Sequence, residues 1–170
     1  MEIKTADQLV DVDLEARWAR RRASRQTDVL QRVLWAFVER GGPVGVEDVE
    51  PAFPDWSRET VREHLIGLDE DDLIVIEDGR IAIAYPFSAA PTPFVVRLAG
   101  GGERYACCAI DALGVAPMLG QRVQVRARCH HCDAPLEFAV APDGPDAASR
   151  EVMVWVGKRS EGARRVSTSL

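Results

Sequence analysis

Arg104-Tyr105-Ala106-Cys107-Cys108-Ala109-Ile110-Asp111-Ala112-Leu113, continuing to Ala116-Pro117-Met118-Leu119-Gly120, is where the 170-residue chain concentrates its chemistry. Residues 104–107 read as the opening of an extended element. Residues 109–119 are apolar enough for a helix that Gly120 ends. The change from extended to helical backbone therefore falls at the two adjacent cysteines. Cys108 and Asp111 are three apart, which puts thiol and carboxyl on one side if Asp111 begins the helix. Taken alone, Asp111 reads as a helix N-terminal carboxylate stabilised by the dipole.

Working outward, 94–98 reads as a strand and Gly100-Gly101-Gly102 as a turn. Residues 122–127 and 136–140 alternate as two further strands, joined by a turn that begins Cys129-His130-His131-Cys132. A last strand is expected at 151–156, followed by a polar tail at 157–170 expected to be mobile. Upstream, 86–93 (PFSAAPTP) is a proline-rich connector and marks a domain boundary.

Before the connector the pattern is helical. A helix is expected over 6–23, with Leu9, Val12, Leu14 and Trp18 apolar and an arginine-rich end at 20–22. Over 27–40, Val29, Leu30, Val33, Leu34, Phe37 and Val38 recur at helical spacing until Gly41-Gly42-Pro43. A short helix is expected at 46–52. A third runs from Arg58 to about Glu70, with Ser57 as N-cap and Val61, Leu65 and Leu68 on its apolar face. Two strands around Asp78-Gly79 form a hairpin. Three helices and a hairpin in this order predict a winged-helix-like domain over 27–85, after an extension at 1–26. The fold class is therefore α+β.

Charge argues against nucleic acid. The formal net charge is −6, and residues 23–85 hold six Arg against fourteen Asp or Glu. The would-be recognition helix carries Glu59, Glu63, Asp69 and Glu70, then Asp71 and Asp72, against Arg58 and Arg62. Such a surface repels a phosphate backbone, so the domain is expected to serve as a scaffold or dimer surface. A metal-responsive DNA-binding regulator is the disfavoured alternative. No apolar run approaches the ~18 residues that span a bilayer. Nor does the N-terminus carry the apolar core of a secretory signal, so a cytoplasmic location is expected.

All four cysteines, 107, 108, 129 and 132, lie in the C-terminal part. In a reducing compartment such clustering favours thiol chemistry or metal binding over disulfides. Cys129-His130-His131-Cys132 supplies one C-x-x-C pair, half of a tetrahedral zinc site, and Cys107 with Cys108 is the remaining source of sulfur. His130 and His131 read as turn residues, and His64 as a surface residue.

The segment 104–120 resembles the active-site segment of the organomercurial (alkylmercury) lyases. Their pattern is close to Tyr-Ala-Trp-Cys-Ala-Leu-Asp-Thr-Leu, followed by a Pro-Ala-Leu-Leu-Gly-like run. Pro91-Thr92-Pro93, the following strand and glycine turn, and Cys129 are similar too, so the likeness covers about 27–156. It implies a winged-helix-like part followed by a catalytic domain at 94–156 with a small mixed or antiparallel sheet and a short helix. It also implies an enzyme that protonolyses carbon–mercury bonds. Cys108 would take the mercury and Asp111 would carry the proton, with Cys129 and Tyr105 in support. That chemistry requires no resident cofactor. Its partners are a small organometallic or thiol-reactive substrate and external thiols that remove the product.

The chain departs from that pattern in two places. Cys107 stands where the family has a bulky Trp, and no cysteine follows residue 156 where the family has a second catalytic one. Cys107 and Cys132 are the candidates to supply the missing sulfur. The alternative function is a non-catalytic protein holding Hg, Zn or Cu on the thiols of Cys107, Cys108, Cys129 and Cys132.

Overall fold

The structure, a computed structural model, describes residues 26–149 and 151–155, together with Val12, Ala16 and Ala19. Those three positions are helical; the rest of the helix expected over 6–23, and the tail at 157–170, lie outside the described residues.

Helix α1 (Gln26–Arg40) buries Val29, Val33, Ala36 and Phe37, the stripe that a 3.6-residue period predicts. It ends where Gly41 N–H bonds Phe37 O at 2.8 Å. A short α2 (Val46–Val49) runs into a 3-10 turn, Glu50–Ala52. Helix α3 (Arg58–Glu70) starts at Ser57, whose hydroxyl accepts Thr60 N–H at 3.0 Å, and buries Val61, Leu65 and Leu68. Loss of such a cap costs about 1 kcal/mol. His64 is half-buried rather than free on the surface. Its ring stacks on Trp56 at 4.7 Å, and Trp56 stacks on Phe53 at 4.8 Å.

Strands β1 (Ile74–Glu77) and β2 (Arg80–Ala84) form the expected hairpin. Asp78 and Gly79 both have positive φ, 49° and 75°, as a two-residue type I′ turn demands. The chain then adds β3 (Phe87–Ser88), β4 (Val95–Arg97), β5 (Glu103–Ala106), β6 (Val123–Arg128), β7 (Pro135–Ala141) and β8 (Gly144–Pro145). All eight form one antiparallel sheet in the order β1-β2-β3-β5-β4-β6-β7-β8. The architecture is α+β, as expected.

Two features differ from the sequence expectation. The proline-rich stretch at 86–93 is more than a connector, because it contributes β3, which pairs with β2 on one side and β5 on the other. Phe87 is fully buried there and stacks on Phe37 of α1, with centroids 6.2 Å apart and planes 7° apart. Removing such a ring costs about 3–5 kcal/mol. One hydrophobic cluster consequently runs from Val29 through Phe87 and Val96 to Val140. The strand expected at 151–156 is not formed over the described residues 151–155. Val152 N–H turns back to Ser149 O at 2.9 Å, and Val152, Met153, Val154 and Trp155 are all exposed, so no buried face holds them to the sheet.

Candidate active site

The site lies at the corner where β5 passes into α4 (Ala109–Leu119). Several hydrogen bonds fix this corner. The Arg104 guanidinium donates to the carbonyls of Phe37 and Val38, tying β5 to the end of α1. The Thr92 hydroxyl donates to Ala106 O at 2.6 Å and accepts Phe94 N–H at 3.2 Å. Cys107 N–H donates to Pro86 O at 3.0 Å. Strand and proline-rich segment therefore hold the backbone on the N-terminal side of Cys108.

Because β5 ends at Ala106, the alternation of strand side chains does not extend through the two cysteines. Cys107 is buried and Cys108 half-buried. Cys108 has extended backbone, φ −147° and ψ −179°, and is the N-cap of α4. Its sulfur takes the part that a Ser or Asp oxygen usually plays, accepting Asp111 N–H at 3.5 Å. Helix α4 packs Ala112, Val115 and Ala116 into the core and carries Pro117 in its last turn. It stops at Gly120, whose left-handed φ of 64° suits a residue without a Cβ.

The Asp111 carboxyl and the Cys108 thiol act on each other's titration. Burial, and then this neighbouring carboxyl, push Cys108 up to about 11, against the downward pull of the Asp111 and Ile110 amides. Asp111 is itself raised above the usual carboxylate range by burial, with its bonds from Cys108 partly offsetting the rise. Cys107 is pushed up to about 12, chiefly by burial and further by its two acidic neighbours. At neutral pH this corner therefore keeps its sulfurs protonated beside a carboxyl that is easier to protonate than usual.

The other two thiols lie elsewhere. Cys129 and Cys132 sit in the β6–β7 turn, closed by Cys129 N–H to Ala134 O and Asp133 N–H to Cys129 O, both at 2.8 Å. Arg128 clamps the turn through Asp133 at 2.7 and 2.8 Å. Tyr105 stays within β5, half-buried and opposite Val95 and Ser88. The structure thus brings together Cys107, Cys108 and Asp111, and separately Cys129 and Cys132. Among the described residues no three Cys, His, Asp or Glu side chains are grouped to hold a metal ion. The four-thiolate arrangement of Cys107, Cys108, Cys129 and Cys132 is accordingly not assembled.

Sequence reasoning quoted Pro91-Thr92-Pro93 without giving Thr92 a role. The hydroxyl between two prolines, which themselves have no N–H, was the available signal.

Residues 87–170 match the family described as alkylmercury lyase. A curated alkylmercury lyase from Staphylococcus epidermidis is 30% identical over 116 residues, covering 67% of this chain and 50% of the relative. The chain thus spans about half the length of that curated relative. A solved structure described as the mercury-bound form of MerB2 superposes with a TM-score of 0.62 at 23% identity, covering 80% of this chain and 66% of that one. That likeness speaks for the fold, and the family match over residues 87–170 includes the Cys108–Asp111 corner. Through this segment the chain belongs, as a divergent member, to the alkylmercury lyase family.

Proposed function

We propose that this protein cleaves the carbon–mercury bond of small organomercurials by protonolysis, with Cys108 as mercury ligand and Asp111 as proton carrier. The observation that carries the reading is Cys108 as the N-cap of α4, its sulfur accepting Asp111 N–H at 3.5 Å, which places the thiol and the Asp111 carboxyl together at the start of the helix. In a substrate R–Hg–X, the Cys108 sulfur displaces X⁻ from mercury and its proton passes to the Asp111 carboxylate. The new sulfur–mercury bond weakens the bond to carbon. Asp111 then returns the proton to carbon, R–H leaves, and mercury stays on Cys108. A thiol held protonated supplies the proton only when mercury displaces it. A carboxyl raised toward neutrality can take that proton and give it back.

Mercury left on one sulfur needs a second. Cys107 is adjacent in sequence and couples electrostatically to Cys108 and Asp111, which favours it over Cys132 as an internal donor. An external thiol then carries the product away, which fits a reducing, cytoplasmic setting. The helical part serves as scaffold rather than as a nucleic-acid reader. The two arginines of α3 are engaged by carboxylates, Arg62 with Glu59 at 2.9 Å and Arg58 with Glu50 at 3.8 Å.

The test is anaerobic incubation of reduced protein with a simple arylmercurial, following released arene and bound mercury together. Arene release that disappears in Cys108→Ser is the expected result. Tight mercury binding with no arene release would sink the lyase reading and leave a binding protein.

A further inference from the structure

We propose that the β6–β7 turn is a second, independent soft-metal site, in which Cys129 and Cys132 chelate a two-coordinate thiophilic cation of the Hg(II) type. The hairpin builds the pair. The two backbone bonds that close the turn, and the positive φ of 57° at Asp133, bring residue 132 back over residue 129. The Asp133 N–H to Cys129 O bond makes 129–133 a single helical-type turn, in which side chains three residues apart are neighbours, so the Cys129 and Cys132 thiols leave the same side of the turn.

The exposed flank selects the ligand class. Cys132, His130 and His131 are all exposed, and among the described residues no third side chain of ligand type joins the two sulfurs. Zinc, which takes four donors, is thereby poorly served. A soft cation content with two thiolates is fully served. Binding is balanced as Hg(II) + 2 RSH → Hg(SR)2 + 2 H⁺. From a complex with small thiols R′SH it becomes an exchange in which both R′SH are released. The site does not depend on the lyase reading, because inorganic Hg(II) tests it without turnover.

The experiment titrates reduced full-length protein with inorganic Hg(II) under a competing small-molecule thiol, reading sulfur-to-mercury absorption and protein mass. Wild type and Cys108→Ser are both expected to retain one tightly held equivalent assigned to the turn. Cys132→Ser should hold that equivalent on the order of 10²–10⁴-fold more weakly, because the chelate becomes a single thiolate. Cys132 is exposed at the turn, so an unchanged melting temperature should accompany the loss. Zn(II) at equal concentration should not displace the mercury. Wild-type binding by Cys132→Ser overturns the proposal, and so does a doubled mass showing mercury bridging two chains.

Discussion

The β5–α4 corner and the β6–β7 turn each hold two cysteines, yet the fold treats them oppositely. At the corner, burial and the Asp111 carboxyl keep both thiols protonated, pushing Cys107 up to about 12 and Cys108 up to about 11. In the exposed turn, amides from His131 and Cys132 draw Cys129 below its ordinary range. Thiolate is the better metal ligand, so the turn is the better resting trap for a soft cation. The corner gives up that advantage for a proton held next to the sulfur. A protein that only binds mercury gains nothing from the arrangement, whereas one that must protonate a carbon needs it. Residue type alone therefore does not distinguish the two pairs; solvent and the neighbouring carboxyl do.

The sharpest way to break this contrast is to remove the carboxyl and leave the thiol. Asp111→Asn keeps the size and the backbone amide, so mercury should still bind Cys108. Arene release should fall by about 10²–10⁴-fold, the usual contribution of a positioned acid–base group. Single-turnover release compared with bound mercury separates the two effects. Equal loss of both would mean that Asp111 acts only as part of the helix cap.

A middle-sized effect is expected from Thr92. Thr92→Val removes the hydroxyl that meets Ala106 O at 2.6 Å and accepts Phe94 N–H at 3.2 Å, at nearly constant volume. Leaving those partly buried groups short of a partner should cost about 1–3 kcal/mol in denaturant unfolding. If Thr92 positions the corner as well as stabilising it, arene release should fall while mercury affinity at the Cys129–Cys132 turn stays unchanged. An unaltered unfolding midpoint would remove Thr92 from the scaffold of the site.

How much of this was legible in the sequence follows from how local each signal is. The periodicity of Val29, Val33 and Phe37, the Ser57 cap, the Asp78-Gly79 turn and the stop at Gly120 are decided within a few residues, and each is found. Cys108 and Asp111 were readable as a pair through the resemblance of 104–120 to the alkylmercury lyases; their spacing alone only put them on one side of a helix start. Strand β3 was not readable. Its two residues lie between prolines and owe their extended pairing to β2 and β5, partners brought in from both sides. The strand expected at 151–156 failed for the converse reason. Val152, Met153, Val154 and Trp155 have strand-like side chains but no neighbouring strand among the described residues. The separation of the two thiol pairs also needed the fold, because the 20 residues between Cys108 and Cys129 say nothing about distance in space.

A change in the pH dependence of stability, confined to alkaline pH, is also expected, and Cys107 isolates it. An unfolded thiol titrates near 9.0, whereas Cys107 in the folded protein is held up to about 12. Between these values the folded state carries a proton that the unfolded state has lost. The contribution to stability is therefore fully present below about pH 9 and is lost as pH rises toward 12. Cys107→Ala removes this group, and the variant should lose stability less steeply from pH 9 to 11. Denaturant midpoints for the two proteins, taken as a difference at each pH, cancel the titration of shared groups. A difference that stays constant with pH would mean that Cys107 is no harder to ionise than a thiol in water. The corner would then have lost half of what sets it apart from the turn.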